Sequence, residues 1–354
     1  MSYKIFSLAN AKDWTTLLNK LPQNQQDIYF TPEYYQLYEA YGDGKAQCFV
    51  FEQDGELILY PYLKNSVNSL GYQLDKEYYD IQGAYGYNGI ISSSKEKHFL
   101  HAFHTCFEKY CKENNIIAEF TRFHPLLQNM EMASDKTKII YDRKTVFFDL
   151  SKELSEIFSI FQHSTKKQIR RAENRYHIQI KTHTNPNEHV NILYDIYTQT
   201  MNKVNAVPYL YFNKEYFSNL LQLENVVLFI AYYEDKPIAC ISALYVKDYF
   251  HGHLGGSLSE FLKMYPNDLL YKEMILYAKK IKCKYLHVGG GDTSDINNSL
   301  LNFKMNFSKD IADFYIGKTI YNEVVYNDII EQWKIKYPLS YQKNRIKLLG
   351  YREI

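Results

Sequence analysis

The sequence predicts a mixed α/β fold in which helices alternate with short strands, and the same pattern begins again near residue 145. The 354 residues, 46% hydrophobic and 23% charged, suffice for about two domains of ordinary size. Each half contains strands followed by a helix and another strand. We therefore expect two related domains, 1–144 and 145–354, each a mixed, mostly antiparallel sheet covered by helices.

The first half is predicted to begin its sheet with a hairpin, because alternating apolar residues flank a turn at Asp54-Gly55. Phe99, Phe103 and Phe107 recur at near-helical spacing, which indicates a helix with these rings in its core. The predicted elements are strands 48–52 and 57–63, a glycine- and tyrosine-rich loop 80–89, a helix 96–114 and a strand 117–123.

The second half repeats this organisation with a longer series of strands and helices. A pair of apolar segments joined by Glu234-Asp235-Lys236 predicts a second hairpin. The predicted strands are 145–150, 178–182, 226–233, 237–245, 249–254, 285–288 and 314–317, and the predicted helices are 151–174, 187–202, 268–282 and 299–307.

Charge and cysteine content exclude several classes of protein. Lys and Arg number 41 against 40 Asp and Glu, so a site for a polyanion must be local. The five cysteines form no C-x-x-C pair and no Cys/His cluster with zinc spacing, which predicts reduced thiols and no metal site. The N-terminal residues lack a secretory pattern, and no window approaches the roughly 20 apolar residues of a spanning helix. We expect a cytoplasmic protein.

Six peptide strings carry a more specific signal. The second half contains YFHGHLGGSLSEF (249–261), PNDLLYKEMILYAKK (266–280), YLHVGGGD (285–292) and SLLNFKMNFS (299–308). DIQGAYGYNG (80–89) and STKKQIRRAEN (164–174) precede them. In this order the strings resemble the FemABX-like acyltransferases of the GNAT superfamily. The chain lacks the long helical-hairpin insertion of larger relatives and is similar to the compact FemX-type form.

The resemblance implies two tandem GNAT-like domains and an N-acyltransferase. Such an enzyme moves an acyl or aminoacyl group onto the amine of a nucleotide- or lipid-linked precursor of peptidoglycan or another envelope polysaccharide. It implies no tightly bound cofactor, and the acyl donor is aminoacyl-tRNA or acyl-CoA. The segment after 254 lacks the Arg/Gln-x-x-Gly-x-Gly/Ala turn that cradles the pyrophosphate of coenzyme A.

Two other functions stay open at this stage. One is an acetyl-CoA-dependent N-acetyltransferase acting on a nucleotide amino sugar, which would use the same fold. The other is a non-catalytic module that binds glycan or nucleotide, because fold alone does not establish activity.

Three residues are candidates for the chemistry. Phe303-Lys304 resembles a functional Phe-Lys pair of the family, and an ammonium there would stabilise the oxyanion formed when an amine attacks a carbonyl. His253 is a candidate general base, because a histidine pKa lies near working pH. A solvated helix lysine and a structural histidine are the alternatives.

Two glycine turns are candidate ligand cradles. Gly290 and Gly291 follow a predicted strand, and their backbone amides can approach an oxyanion or a phosphate closely. Gly255, Gly256 and Ser257 invite the same argument. A tight connection between elements explains either turn equally well.

The loop 80–89 offers side chains for an acceptor. Tyr85 and Tyr87 flank a glycine, and their rings and hydroxyls can contact a sugar or a base. Asp80 can accept a hydrogen bond from a substrate hydroxyl or amine. The alternatives are rings that cover the domain core and a carboxylate that caps a turn.

A basic helix is the candidate site for acceptor phosphates. Lys167 and Arg170 lie on one face of the predicted helix, and guanidinium groups suit a diphosphate. Lys203 stands where relatives carry an arginine, which keeps the charge and loses the planar fork. Tyr211 is expected to line the acceptor pocket.

The C-terminal stretch 334–352 is rich in basic residues interleaved with aliphatic ones. Contact with tRNA phosphates or a peripheral contact with an anionic membrane is one expectation. A docked terminal helix with a solvated face is the other. The sequence does not predict the oligomeric state.

Overall fold

The chain forms two compact units in the computed structural model, which describes residues 2–354. Unit 1 consists of Met1–Asp142 together with Phe314–Ile354, and unit 2 is Arg143–Asp313. The chain first passes from unit 1 to unit 2 between residues 142 and 143, two residues before the predicted boundary at 144/145. The prediction had assigned residues 314–354 to the C-terminal domain, whereas the chain returns to unit 1 there.

Unit 1 is a sheet with helices, and its elements include a strand and two helices at the N-terminus that no sequence pattern indicated. Its first elements are β1 (Ser2–Phe6), α1 (Ala11–Leu18), α2 (Pro32–Tyr41), β2 (Lys45–Gln53), β3 (Glu56–Ser66), β4 (Tyr79–Gln82), β5 (Ile91–Ser92), α3 (Lys97–Glu113), β6 (Ile116–Arg122) and β7 (Lys138–Asp149), which continues into unit 2. The returning elements are β13 (Ile311–Ile320), α10 (Glu323–Lys336) and α11 (Pro338–Asn344).

The sheet of unit 1 runs in the order β1-β2-β3-β4-β6-β13, with β5 paired to β3. Among the described strands of this order, β4 and β6 form the parallel pair, and α3 forms the crossover between them. The predicted rings Phe99, Phe103 and Phe107 of α3 are buried against this sheet. The hairpin and the helix of the first half are therefore confirmed.

The returning segment completes a core of unit 1. Trp333 of α10 is fully buried in a cluster that includes Ile117 of β6 and Tyr351. The last part of β13 pairs antiparallel with β6. Because these apolar contacts require both ends of the chain, no pattern within one half could assign residues 314–354 to unit 1.

A buried carboxylate also joins distant parts of unit 1. Glu119 of β6 accepts hydrogen bonds from the hydroxyls of Tyr60, Thr121 and Tyr321. Burial raises the pKa of Glu119, and the three hydroxyls oppose that shift. Tyr321 comes from the returning segment, so this network forms only when that segment is in place.

Unit 2 contains most of the helices. Its elements are the end of β7, α4 (Leu154–Ile160), α5 (His163–Asn174), β8 (Gln179–His183), α6 (Val190–Val204), α7 (Lys214–Leu221), β9 (Val226–Tyr233), β10 (Lys236–Val246), β11 (Tyr249–Ser257), α8 (Pro266–Lys280), β12 (Tyr285–Gly290), α9 (Ser299–Met305) and the start of β13. No helix of residues 2–354 combines the length and the apolar character needed to cross a membrane.

The sheet of unit 2 runs in the order β7-β12-β11-β10-β9-β8. Only β11 and β12 are parallel, and α8 connects them. Both units thus place one parallel pair with a helical crossover beside an antiparallel meander. This repeated arrangement confirms the predicted mixed α/β fold of tandem GNAT-like sheets.

The predicted helix 151–174 is divided into α4 and α5. Phe161 leaves the helical conformation, with φ −54° and ψ 137°. Its buried ring packs edge-to-face against Phe307, with the ring centroids 5.2 Å apart. The backbone amide of Gln162 donates to the carbonyl of Asn306 at 2.8 Å, which fixes the break.

Candidate functional site

The parallel strands of unit 2 form a fork. β11 and β12 pair only from Tyr249 and Tyr285 to His251 and His287. Beyond that point β11 stays with β10, whereas β12 stays with β7. The two strands therefore diverge in the middle of the sheet, where an extended ligand segment can approach backbone groups that have no strand partner on that side.

A bulge and a glycine turn end the β12 arm of the fork. The register with β7 shifts between His287 and Gly289, and Gly289 has a φ of +70°, a conformation that favours glycine. A side chain at Gly290 would meet the carbonyl of Lys144 at 2.5 Å. At Gly291 it would meet the side chain of Asn298 at 2.4 Å. Close packing thus explains Gly290 and Gly291, and their role as a cradle stays a prediction.

Lys304 lies beneath this turn. Its Nζ donates to the Gly290 carbonyl at 2.6 Å, and the residue is only 7% exposed. The pKa of Lys304 is lowered to about 7, chiefly by burial and secondarily by the charge of Arg143, while Asp292 opposes the shift. Lys304 is therefore not the solvated helix lysine of the alternative interpretation. It is a buried amine that can hold or release a proton near neutral pH.

Phe303 has a packing role in the structure. Its ring contacts Tyr271 and Phe307 edge-to-face, with centroid distances of 5.3 and 5.2 Å. These rings belong to the core of unit 2, on the side of α8. Phe303 thereby holds α9 and the adjacent Lys304 in place, and a contact of its ring with substrate stays a prediction.

His253 is the candidate general base on β11. The Nε2 atom of His253 lies 3.2 Å from the hydroxyl of Tyr216. Desolvation, with a smaller contribution from His251, lowers the pKa of His253 to about 3. A general base works best when its pKa lies near the operating pH. The pKa therefore weakens the candidacy of His253 as the base.

Asp268 is a candidate that the sequence analysis missed. It lies buried in the first turn of α8, and burial raises its pKa to about 7. An acidic residue early in a helix is typical of ordinary helix N-termini, so its sequence context gave no warning. Arg143 was also missed, although its Nη1 donates to the Gly291 carbonyl at 2.8 Å and supports the glycine turn.

The second glycine pair lies inside β11 rather than in a loop after it. A side chain at Gly255 would meet the Cys240 carbonyl at 2.4 Å, and one at Gly256 would meet the Thr200 hydroxyl at 2.2 Å. The amide of Ser257 donates to the same hydroxyl at 3.0 Å. These residues let α6 pack directly on the strand. Their contact with a ligand stays a prediction.

The basic face of α5 is solvent-exposed, as its periodicity predicted. Thr165, Ile169 and Ala172 form the buried side of the helix, and Lys167 and Arg170 lie on the opposite side. The charges are available to an anion, and the geometry is equally that of a solvated face.

Lys203 and Tyr211 lie at the surface of unit 2. Lys203 is exposed in the last turn of α6. The Tyr211 hydroxyl donates to the carbonyl of Met201 at 3.2 Å, and its ring is 40% exposed. The two residues thus belong to one exposed segment, and the place of Tyr211 in an acceptor pocket stays a prediction.

Asp80 is a structural anchor of unit 1. Its carboxylate accepts from Arg352 Nε at 2.9 and 2.7 Å and from the Tyr351 hydroxyl at 2.7 Å. The residue is fully buried, and burial raises its pKa while Arg352 and Tyr351 oppose the shift. These contacts give the carboxylate a role within the fold, in place of the predicted role toward a substrate.

The tyrosines of the loop 80–89 also belong to unit 1. The Tyr34 hydroxyl donates to the Tyr85 carbonyl at 2.5 Å. The Tyr87 ring packs edge-to-face against Tyr29, His124 and Phe314 at centroid distances of 5.3 to 5.4 Å. Both side chains are only partly covered. Their positions fit rings that cover the core, and their use in binding stays a prediction.

Known proteins share this architecture. Residues 161–305, which include Lys304, the glycine turn after β12 and the glycine pair of β11, match the family described as an acetyltransferase (GNAT) domain. The comparison with curated proteins finds no match.

The similar solved structures include the following three. A crystal structure of FemX is 13% identical with a TM-score of 0.69, and the match covers 92% of this chain and 99% of that one. A conserved protein of unknown function from Bacteroides thetaiotaomicron is 13% identical with a TM-score of 0.54, over 90% and 99% of the two chains. L-PGS from Bacillus licheniformis is 12% identical with a TM-score of 0.52, over 84% and 94%. The chain therefore has the fold of FemX, and its residues 161–305 are similar to the acetyltransferase (GNAT) domain model.

Proposed function

We propose that the chain is an N-acyltransferase that moves an acyl or aminoacyl group onto the amine of a nucleotide- or lipid-linked envelope precursor. The proposal is supported by the fork of β11 and β12 and by the FemX-like fold. The single observation that carries the chemistry is the buried Lys304, whose Nζ donates to the Gly290 carbonyl beside that fork.

The reaction requires no covalent enzyme intermediate. The lone pair of the acceptor amine attacks the carbonyl carbon of the donor, so that a C–N bond forms and the carbonyl oxygen gains negative charge. The oxyanion then re-forms the carbonyl double bond, and the C–O or C–S bond to the donor breaks. The proton of the amine passes to a base or to the leaving group. Lys304 as an ammonium stabilises the oxyanion, and preorganised donors of this kind contribute most when water is excluded.

Acceptor binding is assigned to the exposed basic face of α5. Lys167 and Arg170 are placed to hold the phosphates of a nucleotide- or lipid-linked acceptor, because guanidinium and ammonium groups pair strongly with phosphate oxygens. Replacing both by Ala should raise KM for the acceptor about ten-fold or more with little change in kcat. Since both side chains are exposed, the melting temperature should not change. An unaltered KM would remove them from the acceptor site.

The test of the activity is product formation followed by mass spectrometry. Purified protein is incubated with aminoacyl-tRNA or acyl-CoA as donor and with a nucleotide-linked amine as acceptor. Lys304→Ala should lower kcat by about 100- to 1000-fold with little change in acceptor binding. Lys309→Ala is the matched control, because Lys309 is an exposed lysine close to Lys304 in sequence. Equal turnover by the two variants would exclude Lys304 from the mechanism.

A second candidate is an acetyl-CoA-dependent N-acetyltransferase acting on a nucleotide amino sugar. The match of residues 161–305 to an acetyltransferase domain favours it. A ligand that binds only the native state raises the melting temperature, so a thermal-shift measurement with coenzyme A and with aminoacyl-tRNA separates the two donors. Stabilisation by coenzyme A alone would favour this candidate over aminoacyl transfer.

A further inference from the structure

The C-terminal part of unit 1 presents unusually exposed aliphatic side chains. Among the large hydrophobic residues within 2–354, the four most exposed are Val324 at 81%, Ile335 at 80%, Leu339 at 82% and Ile346 at 80%. Single exposed aliphatic residues are ordinary on protein surfaces. Three of them within one short segment, each almost fully solvated, require a reason other than packing.

The same segment is strongly basic. Residues 334–347, here called the basic segment, contain Lys334, Lys336, Lys343, Arg345 and Lys347 and no acidic residue, whereas the whole chain has a net charge of only +1. All five basic residues are exposed. Lys334 and Lys347 make surface ion pairs with Glu331 and Glu353, and Lys343 and Arg345 make none among the described residues. The basic segment is therefore strongly positive, although the chain as a whole is nearly neutral.

The basic segment is held on an ordered scaffold. The indole of Trp333 donates to Ser340 Oγ at 3.2 Å, and its ring packs edge-to-face on Tyr341. After the segment, the Tyr326 hydroxyl donates to the Leu348 carbonyl at 2.7 Å, and Arg352 is paired with Asp80. The backbone is thus anchored before and after the basic segment, and the exposed aliphatic residues lie between these two anchors.

On α11 the apolar and basic groups share one side. Leu339 and Lys343 are four residues apart, so they lie above one another on the helix surface. Asn344 is buried and Tyr341 is half-buried, and both lie on the inner side of the helix. The outer side therefore combines a protruding leucine with a lysine whose long stem can extend past it toward an anionic surface.

We propose that the basic segment docks on the surface of an anionic lipid bilayer. Ile335, Leu339 and Ile346 insert at the boundary between headgroups and acyl chains, and the basic side chains contact lipid phosphates. This combination of apolar and cationic side chains is that of interfacial membrane contacts. The docking is a property of unit 1, and it is independent of the acyl transfer proposed for unit 2.

A nucleic-acid partner fits these side chains less well. RNA phosphates would use the lysines and the arginine, yet solvated aliphatic side chains gain nothing from a phosphate backbone. Sequence-independent RNA contacts commonly add aromatic rings on which bases stack. The most exposed side chains of the basic segment are instead isoleucine and leucine, which favour hydrocarbon.

The test is cosedimentation of the full chain with vesicles. We expect binding to vesicles that contain phosphatidylglycerol, weak binding to pure phosphatidylcholine, and release at high salt. The triple variant Ile335→Ser, Leu339→Ser, Ile346→Ser should weaken the partition coefficient by at least about ten-fold. Val324→Ser is the matched control, because Val324 is equally exposed and lies outside the basic segment.

A charge series completes the experiment. Lys343→Glu with Arg345→Glu should weaken binding at low salt by at least about 25-fold, since each basic residue contributes about five-fold. Lys12→Glu with Lys20→Glu, two exposed lysines of the N-terminal region, should leave it unchanged. All variants alter exposed side chains, so thermal melting verifies that each is folded.

Two results would overturn the proposal. One is equal binding of the serine triple variant and the wild-type chain to phosphatidylglycerol vesicles. The other is binding to a tRNA probe that the Lys343 and Arg345 variant loses, without binding to vesicles, which would assign the segment to nucleic acid.

Discussion

The substitution Lys304→Met tests both the stability and the chemistry of the candidate site. Methionine keeps the length and the apolar stem of the side chain and removes the charge. In the folded protein the pKa of Lys304 is about 7, against an ordinary value of 10.5. This difference corresponds to at most roughly 5 kcal/mol of penalty against the buried ammonium. The methionine variant also loses the hydrogen bond to the Gly290 carbonyl, which destabilises it by about 1–3 kcal/mol at every pH.

The pH dependence gives the sign of the effect. Below about pH 7 both the folded and the unfolded chain carry the proton, and the folded wild type bears the full penalty. Between about 7 and 10.5 the unfolded chain keeps the proton that the folded chain has lost, so the contribution of Lys304 to stability rises with pH. The methionine variant lacks this rise. Its stability relative to wild type should therefore be greatest near pH 6 to 7 and should fall toward pH 10, by about the size of the penalty.

Urea unfolding of both proteins at a series of pH values measures this difference directly. A constant difference in unfolding free energy across the range would refute the low pKa of Lys304. The kinetic readout is separate. If the ammonium of Lys304 stabilises the oxyanion, the kcat of the wild type should decline as the pH rises through about 7, because Lys304 loses its proton there. This decline is expected where the acceptor amine is already neutral. A kcat that only increases through this range would indicate that the neutral amine of Lys304 acts instead.

Two further substitutions test the packing of each unit. Asp80→Asn should lower the unfolding free energy by about 3–5 kcal/mol in urea, because it leaves the guanidinium of Arg352 largely buried without its carboxylate; a loss below 1 kcal/mol would contradict the role of anchor. Gly256→Ala should lower the melting temperature, because the new methyl group would lie 2.2 Å from Thr200 Oγ1 and 2.8 Å from a helix carbonyl. Gly252→Ala in the same strand is the matched control, since its nearest contact is an ordinary 3.5 Å, and an equal effect of the two alanines would disprove the packing argument.

Local patterns predicted the elements that are stabilised by neighbours in the sequence. The hairpin of β2 and β3, helix α3 and the hairpin of β9 and β10 lie within a few residues of their predicted limits. Their apolar periodicity and turn residues act over short distances, so the sequence reports them directly. The break at Phe161 was missed because it depends on a ring more than a hundred residues later in the chain.

The candidate site was predicted unevenly for the same reason. Resemblance drew attention to Lys304, but its pKa is depressed chiefly by burial and secondarily by Arg143, and both depend on the fold, as does its hydrogen bond to Gly290. Asp80 has its partner 272 residues away, so its loop context suggested a ligand where the structure has an ion pair. Residue type and spacing identify where charged groups occur. Tertiary contacts decide which of these groups are paired with a charge of the opposite sign within the fold.

The discontinuity of unit 1 has a consequence for the order of events during protein synthesis. The ribosome completes all of unit 2, Arg143–Asp313, before it delivers the last strand and helices of unit 1. Until then Glu119 cannot accept the hydrogen bond from Tyr321, and Asp80 cannot form its ion pair with Arg352. The nascent chain should therefore fold its middle first and its beginning last, against the usual N-to-C order of domain folding.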